Sequence, residues 1–117
     1  MEISAKKKQF IEWLVQVEAL RFGEFMTKSG RKSPYFINTG AFRCGSHMVQ
    51  LGKHYADTMV ENMWGGFDVL FGPAYKGIAL AIATSMALYW DHHIDVQVTF
   101  NRKEAKGDIL EVVEVFE

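Results

Sequence analysis

The sequence predicts an α/β domain organised around a parallel sheet, and three consecutive segments carry that expectation. Residues 67–72, FDVLFG, form an apolar run with the length of a buried strand. Residues 78–90, IALAIATSMALYW, are apolar on every side, as in a helix covered by its neighbours. Residues 94–100, IDVQVTF, alternate at a period of two. Strand, helix and strand in that order make a right-handed βαβ unit whose strands lie parallel.

The segments before this unit are of a different kind. Phe10, Leu14 and Val17 recur at helical spacing with Ile11 and Val15 beside them, which predicts an amphipathic helix from about Ser4 to Glu18. In residues 21–40, two aromatic stretches flank the polar turn KSGRKSP, the pattern of an antiparallel hairpin. A second helix is expected after Gly45, with Ser46 as its N-cap. Its Met48, Leu51, Tyr55 and Met59 make one apolar stripe, Gln50, Lys53, Asp57 and Glu61 face away, and Gly65-Gly66 ends it. The β-prone, acidic tail 107–117, GDILEVVEVFE, has no assigned place, and a sheet of three strands is left with unfinished edges.

A length of 117 residues favours one domain. The 49% hydrophobic and 23% charged content is that of a soluble globular chain. A net charge of −1 argues against general affinity for nucleic acid or anionic membrane, so cationic function must be local. The single Cys44 cannot form an intrachain disulfide and fits a reducing compartment. Glu12 and Gln16 interrupt the first apolar segment, so no signal-peptide core is read there, and the run 78–90 is too short to span a bilayer. The expected location is cytoplasmic.

Three stretches carry candidate chemistry. Residues 71–77, FGPAYKG, stand where a strand turns into a helix. Small residues there let an anion approach backbone N–H groups at the helix's positive end, and Lys76 adds a point charge. Neither the Walker nor the GxGxxG spacing is present, and a plain strand–helix turn with a solvated lysine is the alternative. Residues 101–106, NRKEAK, follow the next parallel strand, so Arg102, Lys103 and Lys106 emerge on the same sheet edge, where ligands of open α/β sheets bind. A solvated charge run is the alternative reading. Residues 27–38, TKSGRKSPYFIN, set Lys28, Arg31 and Lys32 beside Tyr35 and Phe36, which suits stacking of a planar base or equally a solvated turn. His92 and His93 lack a metal-ligand spacing and fit a helix terminus, Cys44 shows no activator, and no metal site is expected.

Taken in order, FGEF…KSGRKSPYFINTG, DVLFGPAYKGIALA and FNRKEAK closely resemble the N-terminal half of bacterial-type orotate phosphoribosyltransferases, from about Phe10 to Lys106. The resemblance implies a type I phosphoribosyltransferase fold: a parallel sheet flanked by helices, with a small hood drawn partly from the N-terminal segment. It divides residues 1–117 into a hood-contributing stretch, 1–45, and the first part of the α/β core, 46–117. It further implies a cytoplasmic glycosyltransferase of pyrimidine (UMP) biosynthesis. Orotate would attack the anomeric carbon of phosphoribosyl pyrophosphate, giving orotidine monophosphate and pyrophosphate, with Mg2+ held mainly through phosphoribosyl pyrophosphate. By motif, Lys28 resembles the hood lysine that contacts phosphoribosyl pyrophosphate, and Phe36 and Ile37 occupy orotate-binding positions where relatives often have two phenylalanines. Tyr75 and Lys76 resemble the pyrophosphate-loop pair. Arg102, Lys103 and Lys106 resemble the start of the catalytic loop, with Lys103 and Lys106 as its catalytic lysines. That loop serves the partner's site in the family, so a homodimer is implied.

After Lys106 the match stops. No paired aspartates followed by a Thr-Ala-Gly-Thr-like turn occur in the sequence, so the ribose-phosphate half of such a site is not read here. The expectation is a truncated chain, a fragment or a degenerate copy. Its alternative role is an inactive pyrophosphate-binding or dimerising module.

Overall fold

The computed structural model describes residues 3–63, 66–102 and the backbone of 113–115. These form two compact units, residues 1–47 and 48–117.

In the first unit, helix α1 (Ala5–Gln16) begins where the Ser4 hydroxyl accepts the Lys7 N–H at 3.3 Å. Ser4 lies outside the helix with extended backbone, so it acts as the N-cap. Trp13 stacks on Phe42 at 5.6 Å between ring centroids and meets the His47 ring edge-on at 6.3 Å. The face of α1 that packs therefore centres on Phe10, Trp13 and Leu14, while Ile11 and Val15, expected beside them, stay exposed.

Strands β1 (Leu20–Met26) and β2 (Lys32–Ile37) form the expected antiparallel hairpin. Thr27 closes the turn, its N–H donating to the Arg31 carbonyl at 2.9 Å and its hydroxyl accepting the Arg31 N–H at 3.1 Å. Gly30 sits at φ +85°, a conformation that costs a residue without Cβ little. The ladder shifts between Phe22 and Phe25, opposite Pro34. Proline has no N–H to offer the ladder, so the bulge falls where pairing would fail in any case.

Helix α2 (Gly45–Asn62) starts one residue before the expected cap, which places Ser46 inside the first turn. Its buried residues are Leu51, Gly52 and Ala56, so the packed face is rotated from the expected stripe and Tyr55 remains exposed. The rotation follows from Gly52. A Cβ there would stand 2.5 Å from the Ala83 carbonyl oxygen, so backbone packs against backbone and the small residues go inside.

In the second unit, β3 (Val69–Gly72), helix α3 (Lys76–His92) and β4 (Gln97–Asn101) give the expected parallel βαβ order, with Gly72 paired to Phe100. The acidic tail supplies β5 (Val113–Val115), antiparallel to β4, and the sheet order is β3-β4-β5. Ala56, Leu70, Ala81, Ala87 and Leu88 form the core, joined by Met59, Phe67, Ile94, Val96 and Val98. Helix α3 is not covered all round as its composition predicts. Ala81, Thr84, Ala87 and Leu88 are buried, while Ile82, Met86, Tyr89 and Trp90 are exposed. His93 ends the helix in a left-handed conformation, φ 57°, as the expected terminus. The His92 Nε2–H donates to the Asp57 carboxylate at 2.7 Å, tying α3 to the side of α2 that was expected to face water. No helix among the described residues is long and apolar enough to cross a membrane.

The Gly52 contact is open to a stability test. Alanine gains about 1 kcal/mol of helix propensity over glycine, but overpacking a backbone contact costs about 1–3 kcal/mol. A side chain at this distance must displace backbone, so the second effect wins. Gly52→Ala is expected to lower stability to urea by about 1–2 kcal/mol, read as a fall in the denaturation midpoint at constant slope.

Candidate functional site

The parallel register of β3 and β4 sends both following loops to one edge of the sheet. Gly72 ends β3 directly against the first turn of α3, where an added Cβ would lie 2.5 Å from the Gly77 carbonyl oxygen and 2.9 Å from Ala81 Cβ. Gly77 is held in the same way, since its Cβ would meet Pro73 Cδ at 2.6 Å. The glycines at either end of GPAYKG thus serve a turn too tight for any side chain. The Ala74–Tyr75 peptide within it is cis.

Tyr75 is the N-cap residue of α3 and Lys76 its first residue, and both side chains are exposed. The backbone donors of this turn are partly spent. Gly77 N–H donates to the Pro73 carbonyl at 3.0 Å, and Ile78 N–H to the Tyr75 carbonyl at 3.2 Å. The Lys76 N–H has no acceptor among the described residues. The Lys76 N–H and ammonium stand at the positive end of α3, beside the exposed Tyr75 side chain, while the Gly77 and Ile78 N–H groups are already used within the turn.

Arg102 stands at the adjacent loop, one residue beyond β4, and is exposed. The two loops are joined by a part-buried hydrogen bond, Ala74 N–H to Asn101 Oδ1 at 2.7 Å. A second cross-strand contact runs below it, Thr99 Oγ1 to the Leu70 carbonyl at 3.3 Å. Asn101 lies within the cationic motif, yet its type carries no charge to draw attention. Its position at the last residue of β4 was the available signal. Lys103 and Lys106 lie outside the described residues.

In the first unit, Lys28 is exposed in the hairpin turn. Phe36 pairs with Arg21, and Ile37 with Leu20. Successive residues of a strand project to opposite faces, so the hairpin does not bring these two side chains together. Phe36 is about half exposed, and its ring lies 5.6 Å from that of Phe25 in a tilted contact. Ile37 shares its face with Leu20, Phe22 and Tyr35.

Cys44 has an activator that the sequence did not reveal. The Ser46 hydroxyl lies 3.3 Å from its sulfur, and that hydrogen bond, followed by the His47 backbone, holds the thiol below its ordinary value. Burial contributes a small opposing push.

The donor set at the sheet edge is cationic, and no three metal-binding side chains converge among the described residues. Such an edge fits a polyanion that brings its own counter-ion. The residues seen here do not form a direct cage for Mg2+.

The chain is 50% identical over 104 residues to orotate phosphoribosyltransferase of Clostridium beijerinckii, a match that takes in 89% of this chain and 46% of that one. What the chain resembles is half of an orotate phosphoribosyltransferase. The enzyme of that name from Hamiltonella defensa is 53% identical over 102 residues, covering 86% of this chain and 45% of its own length. The crystal structure of orotate phosphoribosyltransferase from Francisella tularensis superposes with a TM-score of 0.80 at 41% identity, over 93% of this chain and 50% of that chain. No protein-family model matches. The fold is accordingly that of the type I phosphoribosyltransferases, and the chain spans about half the length of the curated relatives it matches.

The Cys44 contact gives a direct check. Ser46→Ala removes the hydrogen bond that favours the thiolate, so alkylation of Cys44 by iodoacetamide near pH 7.5, roughly one unit below an unperturbed thiol, is expected to slow several-fold. An unchanged rate, followed by mass spectrometry, would contradict the assignment.

Proposed function

We propose that this chain provides the pyrophosphate-binding and orotate-binding elements of an orotate phosphoribosyltransferase. The observation that carries the reading is the shared edge of β3 and β4, where Lys76 and Arg102 follow adjacent parallel strands in a chain 50% identical over 104 residues to an orotate phosphoribosyltransferase. In the reaction, a ring nitrogen of orotate gives up its proton, ultimately to solvent, and bonds to the anomeric carbon of phosphoribosyl pyrophosphate. The carbon–oxygen bond to pyrophosphate breaks, and the electron pair leaves with the pyrophosphate. Charge grows on that leaving group, so preorganised cations and N–H donors at the edge lower the barrier.

Tyr75, Lys76 and Arg102 hold the pyrophosphate end in this reading, with Lys28 contacting phosphoribosyl pyrophosphate from the hairpin turn. Lys103 and Lys106 continue the cationic run and neutralise the leaving group. Mg2+ arrives on the phosphate oxygens of the substrate and offsets part of their charge. Phe36 offers the aromatic face for orotate, while Ile37, projecting to the other side of the hairpin, contributes through its backbone. A homodimer in which segment 102–106 serves the partner's site, and a cytoplasmic location, complete the proposal.

A second reading for these residues by themselves is pyrophosphate binding without turnover, carried by the Lys76 N–H and ammonium at the positive end of α3.

The deciding measurement follows orotate absorbance in the presence of phosphoribosyl pyrophosphate and Mg2+. Turnover that disappears in Lys106→Ala supports the transferase. Absence of turnover in a folded sample that binds pyrophosphate supports the second reading. The hairpin assignment makes a separate prediction for orotate binding by calorimetry. Phe36→Ala is expected to weaken it by about tenfold or more, the loss of one base–aromatic stack, whereas Ile37→Val changes it by less than about twofold.

A further inference from the structure

The strand–helix turn 73–75 is held from its own two ends by the close glycine contacts at Gly72 and Gly77. Its interior needs a separate support. Pro73 has no N–H, so the first N–H of the turn is that of Ala74, and Asn101 Oδ1 accepts it at 2.7 Å from the end of the neighbouring strand. This bond orients the segment that leads into Tyr75 and Lys76. It also originates from the last residue of β4, immediately before Arg102. Beside the Gly77 and Ile78 N–H bonds within the turn, this one side chain ties the anion-facing turn to the departure point of the cationic run.

We propose that Asn101 is a positioning residue for pyrophosphate, acting through the Ala74 N–H. This inference rests on the reading of the 73–76 loop as a pyrophosphate cradle. The residue type follows from two requirements. The acceptor must reach from β4 to the turn, and it must be neutral, because a carboxylate beside a polyanion repels it. Serine is too short to reach as an amide does. Aspartate accepts the same N–H but brings charge. Asparagine meets both requirements, and its orientation follows from the N–H that faces it, which only the amide oxygen can accept.

The test compares the unsubstituted chain, Asn101→Ala and Asn101→Asp, each verified as folded by circular dichroism. Binding of inorganic pyrophosphate is measured by calorimetry at low and high salt, and exchange of the Ala74 amide by NMR. Asn101→Ala is expected to lose Ala74 protection and to weaken pyrophosphate by about tenfold, with little change in the deficit as salt rises. Asn101→Asp is expected to keep Ala74 protected and to weaken binding through charge, with a deficit that shrinks as salt screens it. A purely structural role would not separate the two variants in this way. If Asn101→Ala leaves both affinity and Ala74 protection unchanged while the unsubstituted chain binds, this inference is overturned and the cradle reading stands. If the unsubstituted chain does not bind pyrophosphate, the cradle reading fails and the inference falls with it.

Discussion

The second unit depends on the parallel pairing of β3 with β4, made compact by backbone contacts that only glycine permits. Register alone decides that Gly72 lies opposite Phe100, and so that the chain leaves both strands at one edge. The absence of a Cβ at Gly72 and Gly77 then lets α3 start directly on the strand end. A longer turn would move Lys76 away from Arg102. The short one leaves the N-terminus of α3, with Lys76 as its first residue, and Arg102 beyond the ends of adjacent parallel strands.

Backbone contact recurs at the α2–α3 crossing, where Gly52 meets Ala83. Three of the buried core residues are alanines, Ala56, Ala81 and Ala87, packed with Leu70 and Leu88. Small residues buy close approach at the cost of apolar area. Polar ties add to this limited core. His92 holds Asp57 across the two helices, and Asn101 and Thr99 reach from β4 to the backbone around β3. Such ties are directional, so they fix the relative placement of elements that burial alone would leave less defined.

The first unit follows a different plan. Its helix is anchored by Trp13 on Phe42 and His47, and its hairpin is shaped by Pro34, which interrupts the ladder opposite the bulge. Both features involve aromatic or backbone geometry that hydrophobic spacing describes poorly. Helical periodicity placed α1 correctly but selected Ile11 and Val15 over Trp13, because periodicity reports apolar character and not which neighbour is available to pack. The same limit explains α2, whose apolar stripe includes the exposed Tyr55 and omits the buried Gly52 and Ala56.

The sequence by itself determined the order of elements, the parallel βαβ unit, the hairpin and its turn, and the two cationic motifs, because these are local patterns of period, composition and turn chemistry. It also carried the likeness to orotate phosphoribosyltransferases in residues 10–106, since motif identity needs no coordinates. Only the tertiary structure decided that Asn101 grips Ala74, that His92 meets Asp57, that Phe36 and Ile37 face opposite ways, that Ser46 supports Cys44, and that the acidic tail returns as an antiparallel strand. Most of these join residues distant in sequence through a hydrogen bond or a register. Such contacts depend on where the chain comes back to itself, which no local pattern of residue types contains.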